Sequence, residues 1–278
     1  MDLRNRPIGV FDSGVGGLTA VSELRKILPH EDIIYLGDTA RVPYGTKSRD
    51  TILKYAAEDL AFLKRRGVKF AIAACGTVSS VMVGESAFKV IAHNAFTDEI
   101  CTGVIGPAVD AACRATKNKK IGVIATAASI RSGNYEKLIK AAMPDIEVIS
   151  TACPMFVPLV ENGYIARDCA PTVAFAREYL DPMKERGIDT LILGCTHYPL
   201  LSGVISDVVG ENVTLISSGA EAARYAKSLL EKNDLLSEKS EAGRINLYCT
   251  DSEELFRENV RHFIDLDGIT VERRSVED

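Results

Sequence analysis

A chain of 278 residues has room for one large domain or two of ordinary size. At 46% hydrophobic and 26% charged it can bury a full core and keep a polar surface; with 6% aromatics and no Trp, that core must be packed by Val, Ile, Leu and Ala. A formal charge of -5 argues against a nucleic-acid protein, whose affinity rests on clustered Lys and Arg. The longest basic run, Lys117–Lys120, is broken by Asn118 and reads as a solvated turn. Met1–Pro7 carries charges with no apolar stretch behind it, so no secretory signal is expected, and no window approaches the ~20 apolar residues of a membrane span. A cytoplasmic chain is expected, with no membrane or nucleic-acid partner. There its seven cysteines, an odd number, read as free thiols. None forms a C-x-x-C pair, so neither a zinc site nor a redox motif is expected.

In chain order, Ile8–Phe11 is expected to form a buried strand, followed by a glycine-rich turn and a helix over Leu18–Leu28. Ile33–Leu36 and Phe70–Ala74 read as the next strands, separated by a helix over Ser48–Arg66 with apolar residues at helical spacing. Further strands are expected at Val104–Ile105, Ile121–Ala125, Ile146–Ile149, Leu191–Leu193 and Val213–Ile216. A charged loop over Asn233–Gly243 precedes one more strand, Ile245–Tyr248, and a helix; this last unit could return to complete the first domain. Strands alternating with helices imply an α/β fold with mainly parallel sheets and helices on both faces.

Two segments resemble each other. Lys69–Thr77 and Thr190–His197 are both apolar strands ending in a cysteine, Cys75 or Cys195, with a threonine one or two residues later. Two related halves would explain the repeat, and ligands of open α/β sheets bind beyond the carboxyl ends of strands, where both cysteines fall. Helix N-terminal amides at such a place lower a thiol from about 8.5 toward neutrality. Cys101, Cys113, Cys153, Cys169 and Cys249 have no such setting and read as packing residues.

Asp12-Ser13-Gly14-Val15-Gly16-Gly17 follows the first strand, but Thr19 stands where a dinucleotide fingerprint needs its third glycine, and no Walker lysine is present. It reads either as an anion-receiving turn with Asp12 held for acid–base work, or as a plain turn capped by Asp12 or Ser13. In Gly37–Gly45, Pro43 restricts Val42, and Tyr44 and Gly45 could offer backbone donors to a carboxylate; the alternative is a surface turn. His197, two residues from Cys195, could relay or tune its proton. Glu161 lies among apolar residues and could orient His197, or merely cap a helix or face solvent.

With these segments in hand, the chain resembles the glutamate racemases over nearly its whole length. The motifs are Phe11–Gly14, Gly37–Gly45, Ala74-Cys75 with Thr77, Gly122–Thr126, Cys153-Pro154 with Val157–Glu161, and Gly194–Pro199. The resemblance implies two pseudo-symmetric α/β domains with the active site between them, often as a homodimer. The first domain would comprise residues 1–98 plus 212–278, and the second 99–211. By the same resemblance Cys75 and Cys195 are the acid–base residues, with Asp12 on the Cys75 side and His197 and Glu161 on the other. Asp12, Ser13, Tyr44, Gly45, Gly76, Thr77, Thr196 and His197 would contact the substrate. One departure is visible: Gly76 stands where the family usually has Asn. Either a side-chain contact to substrate is missing, in which case Gly76→Asn lowers KM, or the turn needs a positive φ.

Racemisation removes the α-proton from one face and returns one to the other, so two residues are needed. Cys75 would take the proton of D-glutamate and Cys195 that of L-glutamate, supplying D-glutamate for peptidoglycan. No cofactor is expected, since no lysine or phosphate cup for pyridoxal phosphate is evident. The competing readings are an aspartate racemase or related superfamily enzyme, and a binding protein that inhibits a DNA topoisomerase.

Overall fold

The computed structural model describes residues 2–83 and 101–278. Along the described chain the first elements are β1 (Ile8–Asp12), α1 (Leu18–Ile27), β2 (Ile33–Gly37), α2 (Arg49–Arg65), β3 (Phe70–Ala73), α3 (Gly76–Met82) and β4 (Cys101–Gly103). There follow α4 (Ile105–Ala115), β5 (Lys120–Ala125), α5 (Ala127–Arg131), α6 (Asn134–Ala142), β6 (Glu147–Ala152), α7 (Phe156–Glu161), α8 (Ala170–Glu185), β7 (Thr190–Leu193), α9 (Ser202–Val209) and β8 (Thr214–Ser217). The last are α10 (Ser218–Lys232), β9 (Ile245–Cys249), α11 (Glu253–Val260) and β10 (Thr270–Arg273).

These strands form two sheets, β10-β9-β2-β1-β3-β4 and β6-β5-β7-β8, and every pairing is parallel. The run β2-β1-β3-β4 of the first sheet has the same order as the whole of the second. This is the repeat seen in the sequence, and it puts Cys75 after β3 and Cys195 after the equivalent strand β7. Side chains alternate between the two faces of a strand, and each face has its own core. On β3, Phe70 and Ile72 pack with α1 and α10, while Ala71, Ala73 and, just beyond the strand, Cys75 pack with α2. On β7, Ile192 packs with α4 and α6, while Leu191, Leu193 and, just beyond the strand, Cys195 pack with α8 and α9.

One expected strand needs correction, and one strand was not expected. Val104–Ile105 is not a strand: the strand is Cys101–Gly103, Val104 has helical backbone angles, and Ile105 opens α4. A buried β-branched pair looks alike in a strand or a helix start, but Pro107 in the first helical turn marks the latter, because its missing N–H has no intrahelical partner to lose. Beside the expected limits of 1–98 plus 212–278 and 99–211, β4 pairs with β3 in the first sheet and β8 with β7 in the second. The expected junction between residues 98 and 99 itself lies outside the described residues. Finally, β10 was not foreseen. It is a short edge strand with one buried residue, Val271, so no apolar run announces it.

The loop over Asn233–Gly243 is present and tied down from below. Buried Lys69 pairs with Glu31 at 2.5 Å and donates to the Leu235 carbonyl at 2.8 Å, and the Ser237 amide donates to Glu31 at 2.7 Å. Further hydrogen bonds back this buried ion pair: the Lys69 ammonium also donates to the Arg4 carbonyl, and Glu31 Oε1 takes the Ser237 amide. Beyond the loop, β9 inserts between β2 and β10, so the end of the chain does complete the first sheet. Among the described residues no helix is long and apolar enough to cross a membrane.

Candidate active site

The carboxyl ends of β1, β3, β5, β6 and β7 converge on a cavity of about 480 Å³ lined from both sheets. All eleven residues expected at the site line it: Asp12, Ser13, Tyr44, Gly45, Cys75, Gly76, Thr77, Glu161, Cys195, Thr196 and His197. Among the described residues no lysine or arginine lines the cavity, whose described polar lining is backbone amides, hydroxyls, carboxylates and His197.

Asp12, the last residue of β1, is buried and does not cap α1, whose N-cap is Gly17 without a side-chain bond. Its carboxylate instead accepts from the Ser13 hydroxyl at 3.0 Å, the Gly14 amide at 3.3 Å and, from the other half, the Thr196 hydroxyl at 3.1 Å. Burial raises its pKa, against the pull of His197 and these donors. The Ser13 hydroxyl also lies 3.6 Å from the Cys75 sulfur.

The two cysteines sit in opposite electrostatic settings. Burial, then the nearby Asp12 carboxylate, push the Cys75 thiol up to about 12; the Val78 amide and Ser13 hydroxyl pull it the other way and lose. The expectation of a thiol lowered by helix amides is therefore wrong for Cys75, because desolvation and a neighbouring carboxylate outweigh the donors. The Cys195 sulfur lies 3.9 Å from His197 Nδ1, and His197 Nε2 lies 3.0 Å from Glu161. Burial acts to lower His197, but the bonds to Cys195 and Glu161, with their negative charge, raise it to about 10. Glu161 closes α7 and reaches the imidazole, which fits the orienting alternative among those open for it. Each helper is braced from the opposite half: Thr196 bonds Asp12, and Phe263 stacks edge-on to His197 with centroids 5.4 Å apart.

Two glycines let the halves approach. A Cβ on Gly16 would lie 2.2 Å from Thr196 Oγ1, and one on Gly76 would lie 2.5 Å from the Gly194 carbonyl oxygen. Gly76 does not have a positive φ. The positive-φ account of Gly76 therefore fails; its Cα instead faces backbone of the second cysteine's strand end.

Tyr44 is no surface residue. Its side chain is buried, with its hydroxyl bonded to Asp38 and Asp59, and the short helical turn Tyr44–Thr46 faces the cavity. Residues that the sequence reading missed include Thr126, whose hydroxyl lies 3.3 Å from that of Thr77 across the cavity, and the wall formed by Cys153, Pro154, Val157 and Pro158. Thr126 and Cys153 each follow a strand, β5 and β6, so the strand-end rule could have found both. Cys153 is fully buried in this wall, and burial raises its thiol pKa. Among the described residues no group of three or more His, Cys, Asp or Glu is placed to hold a metal ion.

The His197 shift has a consequence for stability. An unfolded histidine titrates near 6.5, and the folded one near 10. Its raised folded value contributes stability fully below about pH 6.5, declining as pH rises and lost above about 10. The Tm should fall more steeply between pH 7 and pH 10 in the wild type than in His197→Asn. Parallel curves from calorimetry would contradict the charged state assigned to the imidazole.

Comparison with known proteins agrees with this geometry. Residues 19–226 match the family model described as Asp/Glu/Hydantoin racemase. The chain is 44% identical over 246 residues to a glutamate racemase of Geobacter metallireducens, covering 88% of each, and 44% identical over 258 residues to one of Chlorobaculum parvum, covering 93% and 92%. It is similar to the crystal structure of glutamate racemase from Francisella tularensis in complex with D-glutamate, with TM-score 0.86, 39% identity and 99% of each chain covered. The resemblance read from the motifs is borne out: the chain belongs to the Asp/Glu/Hydantoin racemase family.

Proposed function

We propose that this racemase interconverts L- and D-glutamate, with Cys75 and Cys195 as acid and base on opposite faces of the α-carbon. The observation that carries the reading is the pair of strand-end sulfurs lining one cavity, one beside a carboxylate and the other beside an imidazolium. In the direction from L-glutamate, Cys195, beside His197, acts as the base and Cys75, beside Asp12, as the acid. L-glutamate then loses its α-proton to the Cys195 thiolate, and the Cys75 thiol delivers its own proton to the other face, giving D-glutamate. The sulfurs have exchanged states: Cys75 is now thiolate and Cys195 thiol. D-glutamate reverses the sequence. Asp12 is placed to accept from the substrate ammonium. The carbanion-like charge spreads onto the α-carboxylate, where backbone amides of the Tyr44–Gly45 turn and the hydroxyl of Thr77 supply donors, while Thr196 and the Gly14 amide hold Asp12.

The reading is tested by incubating the purified chain with L- and D-glutamate and separating the products on a chiral column. Full activity is expected after dialysis against a chelator, without added nucleotide or pyridoxal phosphate. Activity lost on dialysis and restored by a metal, or a cofactor absorbance in the visible spectrum, would overturn the cofactor-free mechanism. We further propose a homodimer in the cytoplasm, supplying D-glutamate for peptidoglycan. A sedimentation mass of one 30.1 kDa chain at assay concentration would contradict the dimer.

A further inference from the structure

Behind the cavity, the loop after β2 is held by a polar cluster that no part of the racemisation chemistry uses. α2 is capped by Ser48, whose hydroxyl accepts from the Thr51 amide at 3.3 Å. Its apolar face of Ile52, Ala56, Leu60 and Leu63 packs on the first sheet. On the same helix Asp59 is fully buried, an unusual place for a carboxyl group. It meets Asp38, equally buried at the end of β2. The Tyr44 hydroxyl lies between the two, bonded to Asp38 and 3.1 Å from Asp59 Oδ2. Arg41 reaches Asp38 at 2.5 Å, Asp59 Oδ1 at 3.0 Å, and Glu58, with its guanidinium stacked 4.1 Å over Tyr55. The far side of Asp38 accepts from Thr250, which in turn accepts from the Ala40 amide at 2.9 Å.

A tyrosine hydroxyl carries one proton and can donate to only one of two carboxylates. Two ionised carboxylates around it would leave one contact without a hydrogen. Burial and the charge of Asp38 push Asp59 well above the usual carboxylate range, which supplies the missing proton. Asp59 then donates to the Tyr44 oxygen, Tyr44 donates to Asp38, and Arg41 pairs with both carboxyl groups. Every member is satisfied, and the cluster fixes the segment from Asp38 to Thr46 at its base.

We infer that Asp59 is a positioning residue for substrate binding: through the Tyr44 hydroxyl and Arg41 it sets the turn whose Pro43–Thr46 segment lines the cavity. The inference rests on the proposed glutamate racemisation, in which this turn presents backbone donors to a substrate carboxylate. Asp59 touches no substrate, and the turn carries neither sulfur. Losing the relay should therefore weaken ground state and transition state alike, which raises KM and spares kcat.

The test compares Asp59→Ala, Asp59→Asn and Tyr44→Phe by steady-state kinetics on both enantiomers, with Tm recorded for each. Asp59→Ala should raise KM about tenfold, the fold-change that one lost hydrogen bond to a charged group represents, with kcat changed less than about threefold. Asp59→Asn should stay near wild type, because an amide both donates to Tyr44 and accepts from Arg41. Tyr44→Phe, which keeps ring and backbone, should match Asp59→Ala, and the double variant should be no worse than either. A purely structural role would lower kcat with the fraction folded and leave KM alone; that result overturns the inference. So does an unchanged KM in Asp59→Ala or, if that variant does not fold, in Tyr44→Phe. Failure of the wild type to racemise glutamate would instead sink the parent reading.

Discussion

Replacing either Cys75 or Cys195 with alanine should abolish racemisation in both directions, by at least about a thousandfold, within the range that a positioned acid or base contributes. A single remaining sulfur can take a proton from one enantiomer, but no donor stands on the opposite face to complete the inversion. The double variant should be scarcely worse than either single one, as for groups that act as a unit. Folding should be little affected, since each change removes a single sulfur atom that borders the cavity. A chiral assay with Tm measured alongside checks this. A well-folded Cys75→Ala or Cys195→Ala enzyme with near-normal kcat would remove the two-base mechanism.

Gly76→Asn should be the most damaging change outside the reacting groups. The new Cβ would lie 2.5 Å from the Gly194 carbonyl oxygen. Backbone on both sides leaves no flexible side chain to yield, so the ends of β3 and β7 must part. Overpacking of this sort costs about 1–3 kcal/mol, and the displacement falls on the residues next to both sulfurs. A misplacement of this order disturbs proton transfer far more than binding. The expected result is a fall of about tenfold or more in kcat/KM together with a lower Tm. Because enantiomers have equal free energy, kcat/KM must fall equally in both directions. Lower KM with unchanged Tm would show that the halves do not press together at this point when substrate is bound.

The sequence carried the site more fully than it carried the reasons for it. Strand ends are legible because a buried parallel strand is a short apolar run with a polar residue at its close. For that reason Asp12, Cys75 and Cys195 stood out, and the likeness of Lys69–Thr77 to Thr190–His197 foretold the matching strand orders. Val104–Ile105 was misread because a buried β-branched pair opens a helix as readily as it fills a strand. The proton affinity of Cys75 depends on how burial and Asp12 sum against two donors, a balance set by distances in space. Gly76 owes its identity to Gly194, in the other half of the chain, and Phe263 meets His197 only after the chain has returned to finish the first sheet. Asp59 looked like one more polar residue on a helix, and only its burial beside Asp38 and Tyr44 gives it meaning.

The two-sulfur mechanism meets its most direct test in heavy water. L-glutamate is incubated with the enzyme in D2O, the reaction is stopped at a few per cent conversion, and the α-hydrogen of each enantiomer is read by mass spectrometry after chiral separation. With two bases, the proton removed by Cys195 leaves with that sulfur and the hydrogen delivered by Cys75 comes from solvent. The D-glutamate formed should then carry deuterium almost completely, while the remaining L-glutamate stays almost entirely protiated. A single base serving both faces would return deuterium to substrate and product alike, and comparable labelling of the two enantiomers at early time would contradict the roles given to Cys75 and Cys195.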